Sequence, residues 1–214
     1  MNSTVSFVLT SATVFLLSYL CGSLPSGYLI GKFNGIDIRL YGSHNIGATN
    51  VRRVLGKDWS NLCFLLDFFK GMLPVIFIGK TLAANWSCGA GWGGIFAATG
   101  AVCGHIFPVW LKFKGGKGVA TSLGCAIGLA FLPVLCAGIF WLIFFYRTKI
   151  VAVASIAAVA VLAISSLVLH FVNHSIPWPV VILFTVIAIT VIICHHENIE
   201  RLLQGKENVF KKKT

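Results

Sequence analysis

Long apolar runs alternate with short segments rich in Gly, Asn, Lys and Arg along this 214-residue chain. A helix needs roughly 20 apolar residues to cross about 30 Å of hydrocarbon. Five runs come close to or exceed that measure, at residues 5–30, 62–78, 92–111, 150–172 and 178–194. A sixth apolar region, 119–146, contains Gly124, Gly128, Pro133 and Gly138. Its length alone fits either one crossing or a hairpin of two short helices. Charge separates the two. A single crossing would put Arg147 and Lys149 opposite Lys112, Lys114 and Lys117, with the tail lysines Lys211, Lys212 and Lys213 on the non-cytoplasmic side. A hairpin turning near Pro133 gathers all but Lys80 of the 17 Lys and Arg residues on one face. The excess of Lys and Arg in cytoplasmic loops favours the hairpin. The pattern therefore predicts an all-α integral membrane protein of about seven transmembrane helices, two of them short and paired at 119–146. Its N-terminus is expected outside and its C-terminus in the cytoplasm.

Composition sharpens this picture. Residues are 57% hydrophobic and 11% charged, against about 25% charged in a soluble domain. The length suits one polytopic domain over 1–214, leaving chemistry to the polar connections at about 32–61, 112–121 and 195–214. The net charge of +11 follows from topology and from attraction to anionic lipid headgroups, so nucleic acid is not expected as a partner. The seven cysteines show no two-residue spacing of metal or redox motifs and behave as small apolar residues. No basic segment or small-residue cleavage pattern marks the first run as a removable leader.

Three constellations can carry chemistry. GSLPSGYLIGK at 22–32 and GSHNIGATNVRR at 42–53 combine glycines, which let backbone amides approach a ligand, with hydroxyl and amide donors and an arginine fork that matches phosphate. Ser43, Asn45, Gly47, Thr49, Asn50 and Arg53 are the candidates here. Competing with this is a plain turn with topogenic arginines, which leaves the density of hydrogen-bonding residues at 43–50 unexplained. GHIFPVWLKFKGGKGVAT at 104–121 runs from the end of one apolar helix through a basic Gly loop into another. Lys117, Gly115, Gly116 and Gly118 stand beside free amides at a helix start, an arrangement suited to anions. It is not a nucleotide-binding P-loop, because Lys117 is followed by Gly118 where Ser or Thr is required. His105 fits either a packed histidine or a site residue.

The third, HHENIERLLQGKE at 195–207, reads as a helix with His195, Asn198 and Leu202 on roughly one face. Glu197, Glu200 and Lys206 read as a solvated face. Asp67 and Lys70, three apart within an apolar span, are placed to neutralise one another. His170 and His174 lie near the opposite face and are expected to do nothing chemical. No His, Cys, Asp and Glu set has metal-ligand spacing, so neither metal nor cofactor is expected.

Taken together, the stretch 104–121, Gly47 to Asn50 with Arg53, the LLDFFKG segment, and His195, Asn198, Ile199, Arg201, Leu202, Gly205 and Glu207 resemble the bacterial acyl-phosphate:glycerol-3-phosphate acyltransferases, the polytopic PlsY family. His44 and Ile46 depart from that pattern, standing where Gly and Pro are more usual, as does His196, where Arg is common. The resemblance implies transfer of a fatty acyl group from acyl phosphate to glycerol 3-phosphate, giving lysophosphatidate and phosphate, without acyl-CoA or acyl carrier protein as donor. It implies catalytic tasks for Ser43, Lys117, His195 and Asn198. Substrate binding would then fall to Asn45, Gly47, Thr49, Asn50, Arg53, His105, Gly115, Gly116, Gly118 and Ser155. It also implies a bacterial inner-membrane protein with a cytoplasmic active site, served by membrane lipid and by a soluble enzyme that makes acyl phosphate. A small transporter of phosphorylated metabolites is the rival reading. It would call for related halves and polar residues across mid-membrane, whereas the polar residues here collect at one face.

Overall fold

A computed structural model describes residues 3–210, and all its regular structure is helical among those residues. The tail lysines Lys211, Lys212 and Lys213 lie outside the described residues. The chain packs as two compact units, one up to Leu129 and one from Ala130 onward.

In the first unit, α1 (Ser3–Gly22) and α2 (Ser26–Phe33) form one apolar rod broken before Pro25. Pro25 has no N–H to continue the ladder, and at this break the Leu24 carbonyl accepts from the Ser26 amide at 3.1 Å and the Lys70 ammonium at 2.7 Å. A small helix α3 (Ala48–Leu55) leads into α4 (Lys57–Leu73), which continues as a π-helical segment, Pro74–Thr81. Pro74 again removes a donor, and the wider helical register begins at that residue. Next come α5 (Gly89–Ile106) and α6 (Val119–Leu129). α5 packs along α1, and α4 along α6.

These pairs approach closely because small residues face one another. A Cβ at Gly104 would overlap the Tyr19 carbonyl oxygen, and one at Gly124 the Phe68 carbonyl oxygen. Lipid tails are as apolar as leucine, so membrane helices associate through such tight packing rather than through hydrophobic burial. The outward face agrees, with Val8, Leu9 and Leu16 on α1 all exposed.

In the second unit, α8 (Val151–Asn173) packs against both α7 (Phe131–Thr148) and α9 (Trp178–Cys194). α10 (His196–Leu203) leaves α9 at a bend of 56°.

Five helices or broken helices are long and apolar enough to cross a membrane, and the bent α9/α10 pair makes up to six. The all-helical membrane class expected from the sequence is thus found, and four of the five marked runs fall within these long spans. The fifth, 178–194, coincides with α9 of the bent pair. Between 119 and 146 the detail differs from expectation. The break falls at Ala130, which is extended (φ −154°, ψ 108°), three residues before Pro133. Pro133 sits in the first turn of α7, where its missing N–H has no helical acceptor to leave vacant. Only α6 is short, 11 residues or about 16 Å at 1.5 Å per residue, whereas α7 runs for 18.

Candidate active site

The segment between α2 and α4 is built over its own small core. Ile30, Ile38, Ile46, Val51, Cys63 and Leu111 are buried together there, so a polar loop has an apolar floor to rest on. Asn50 organises that loop. It is 1% exposed, and its Nδ2 donates to the carbonyls of Ile38 (3.2 Å), Tyr41 (3.1 Å) and Asn45 (2.8 Å). Its Oδ1 accepts the Ser43 amide at 2.8 Å. Both amide hydrogens are therefore committed to the loop, and Asn50 reaches a ligand only through the shape it imposes. Asn45 Oδ1 likewise accepts the Gly47 amide at 2.9 Å. The side chains of Ser43 and Thr49 are half-buried above this scaffold, with Gly47 as the N-cap of α3. Val51 turns down into the core while Arg52 and Arg53 stay exposed, giving α3 one apolar and one cationic side.

His44 has φ 57°, and its Nδ1–H is held by the Arg39 carbonyl at 2.9 Å. Left-handed backbone is costly for residues with a Cβ, which explains physically why Gly suits this position. Arg39 is itself tied to Asp37 by paired bonds of 2.9 and 2.6 Å. The hydrogen-bonded guanidinium draws the Asp37 carboxyl from its ordinary 3.8 down to about 2.

The basic Gly loop is sewn to the end of α5. The Gly115 amide donates to the Ile106 carbonyl and the Gly116 amide to the His105 carbonyl, each at 3.1 Å. A Cβ at Gly115 would overlap the His105 carbonyl, and one at Gly116 the His105 ring at Nε2. Only glycine lets the loop lie this close. Gly118 (φ 81°) then turns the chain into α6, with Lys117 half-buried just before it.

Beneath the loop lies a buried polar chain. The Thr121 hydroxyl donates to the Asp67 backbone carbonyl at 3.0 Å and therefore accepts from His105 Nδ1, also at 3.0 Å. This fixes the neutral tautomer with the lone pair on Nε2, against Gly116. Asp67 and Lys70 pair at 2.8 Å with both side chains buried, as their spacing predicted. Lys70 also holds the α1/α2 break, so one network links that break, α4, the end of α5 and the start of α6. Composition gave no hint of Thr121 as the connecting residue, although it closes the quoted motif.

In the second unit, His195 caps the α9/α10 bend and its Nδ1–H donates to the Val191 carbonyl at 2.7 Å. A carbonyl can only accept, so neutral His195 carries its lone pair on Nε2. One turn on, buried Asn198 donates to Glu207 Oε1 at 3.0 Å, and Arg201 Nε binds Glu207 Oε2 at 2.8 Å. Glu207 is thus an anchor that residue-level reading left unassigned. The available signal was Gly205, whose φ of 66° turns the chain back after α10. Ser155 is buried on α8 and accepts from Trp141 Nε1 at 3.4 Å. His170 packs against Trp178 at 4.2 Å between ring centres and bonds the Ile176 carbonyl, closing the α8/α9 turn with His174 beside it.

Chemically, the first unit offers a packed floor under α3, which bears Arg53, and the basic Gly loop, which bears Lys117. The second offers an imidazole with a set tautomer beside a braced amide.

Residues 12–205 match the family model described as Glycerol-3-phosphate acyltransferase. The chain is 40% identical over 197 residues to a glycerol-3-phosphate acyltransferase of Aquifex aeolicus, covering 91% of this chain and 96% of the relative. With one from Trichlorobacter lovleyi it shares 44% identity over 195 residues, covering 91% and 94%. The crystal structure of PlsY, an integral membrane glycerol 3-phosphate acyltransferase in its glycerol 3-phosphate form, superposes with a TM-score of 0.84 at 38% identity, covering 94% of this chain and 96% of that one. Its lysophosphatidic acid form gives 0.81 at 37% identity, covering 94% and 95%.

Proposed function

This chain belongs to the glycerol-3-phosphate acyltransferase family, and from that premise we propose that it transfers a fatty acyl group from acyl phosphate to glycerol 3-phosphate. The products are lysophosphatidate and inorganic phosphate. What carries the reading is the likeness, along nearly the whole chain, to a structure solved in a glycerol 3-phosphate form.

In this reaction the acceptor hydroxyl oxygen bonds to the acyl carbonyl carbon while the bond from that carbon to the phosphate oxygen breaks. Acyl phosphate is a mixed anhydride with a good leaving group, so the protein's contribution is positioning and charge balance. Arg53 and Lys117 hold phosphate groups, while Ser43, Asn45 and Thr49 orient the acceptor and the reacting carbonyl. Asn50, Gly47, His105, Gly115, Gly116 and Gly118 act on the substrates through the loops they shape. His195 and Asn198 touch the reacting groups, with Ser155 as a further contact. The hydroxyl proton goes to His195 Nε2 or to the departing phosphate. The protein is a multi-pass membrane protein, and the proposed setting is the bacterial inner membrane with the site facing the cytoplasm, where a soluble enzyme delivers acyl phosphate.

The test uses purified protein in detergent with glycerol 3-phosphate and either acyl phosphate or acyl-CoA, reading released phosphate or CoA. Turnover is expected with acyl phosphate alone, and turnover restricted to acyl-CoA would overturn the donor assignment. Arg53→Ala and Lys117→Ala should each lower kcat/KM by on the order of 100-fold, as loss of a charge-assisted phosphate contact of about 3 kcal/mol implies. Near wild-type activity in either would remove that residue from the phosphate clamp.

A further inference from the structure

A cavity of about 410 Å³ opens in the first unit between Tyr28, Arg39, Trp110, Leu111, Lys112 and Lys114. None of these is among the residues assigned above to substrates. Its volume lies in the range of small-ligand sites. Three of its six walls are cationic. Arg39 is neutralised in part by Asp37, but no described residue gives Lys112 or Lys114 an ion-pair partner. The Tyr28 ring forms an aromatic wall on which the Arg39 guanidinium rests at 4.7 Å, with the Lys32 ammonium at 5.6 Å. Lys112 (φ 52°) and Phe113 (φ 62°) are successive left-handed residues. This sharp turn presents the two lysines from a strained, defined loop, not from a trailing one.

The position of these walls identifies the source of the anion. Tyr28 lies near the end of the span Ser3–Phe33, and Trp110 and Leu111 close the span Gly89–Leu111. The cavity therefore sits where spans meet the headgroup layer. Trp110 and Phe113 are each 60% exposed beside it, and Trp and Tyr favour that level of a bilayer. Lysines with no ion-pair partner among the described residues, next to exposed aromatics at the ends of two spans, match a phosphate group with an apolar tail attached.

We propose that this cavity binds the phosphate headgroup of an anionic membrane phospholipid, as a site apart from the residues assigned to catalysis. The test is native mass spectrometry of the purified full chain in detergent, titrated with phosphatidylglycerol or with phosphatidylcholine, and separately with glycerol 3-phosphate as the soluble phosphate ester. Wild type is expected to retain phosphatidylglycerol in preference to phosphatidylcholine. The double variant Lys112→Gln/Lys114→Gln is expected to lose that preference by at least fivefold, while the charge-keeping Lys112→Arg/Lys114→Arg retains it. All three side chains at 112–114 are exposed, so both doubles should fold, and their turnover at saturating substrates should equal wild type. Unchanged phosphatidylglycerol retention in the Gln double would overturn the proposal. So would a fall confined to glycerol 3-phosphate binding, which would make the cavity a soluble-anion site.

Discussion

Asn50 shows how one buried amide can decide the form of a loop. Replacing it with Ala would leave the Asn45 carbonyl and the Ser43 amide without that partner, while the Ile38 and Tyr41 carbonyls keep backbone donors; a buried group left unsatisfied costs roughly 1–3 kcal/mol. Asn50→Ala should therefore lower the melting temperature in detergent and reduce kcat along with it, through roughly 2–3 kcal/mol of lost stability after partial access of water. An unchanged melting curve with lost activity would instead make Asn50 a direct contact. His44 offers the complementary case, since its φ of 57° burdens any residue with a Cβ. His44→Gly should leave stability within about 1 kcal/mol of wild type, relief of strain offsetting the lost bond to the Arg39 carbonyl. His44→Val, β-branched at the same φ, should be clearly less stable, and thermal unfolding of the pair checks the order. Residue types announced that this segment mattered. They did not distinguish amides that face a ligand from those that build the loop, because both use the same donors, and only the fold says which way Asn50 turns.

Helices in this protein are held by closeness as much as by apolar character. Gly104 lies against the backbone of α1, whereas Gly138 in α7 has open space around it. Gly104→Ala should consequently force α1 and α5 apart and depress the melting temperature. Gly138→Ala should raise stability by about 0.5–1 kcal/mol, since alanine is the better helix former where nothing obstructs it. Equal effects from the two would contradict the packing described. The long apolar runs were legible from the start because their length is dictated by the bilayer. The division of 119–146 was legible only as two helices. Its break falls at Ala130, a residue with no turn signal, while Pro133 and Gly138, the punctuating residues, are absorbed into α7. The Glu207 anchor was hidden for another reason: it depends on the chain folding back after Gly205, which no periodicity records.

For the molecule as a whole, the charge pattern makes a claim that can be read in living cells. With the basic loops inside, a green fluorescent protein fused after Thr214 should fluoresce and an alkaline phosphatase fused there should be inactive. The opposite pair of results would invert the proposed orientation and, with it, the side from which acyl phosphate arrives. Finally, the seam between the basic loop and α5 divides adjacent positions into open and closed. In a library randomised across 112–116 and selected for growth, sequence diversity should persist at Lys114, narrow at Lys112 and Phe113, whose positive φ disfavours β-branched residues, and vanish at Gly115 and Gly116, where a side chain would collide with His105. Anyone reshaping this enzyme's surface must work around the two glycines behind its cationic fringe, which leave no room for invention.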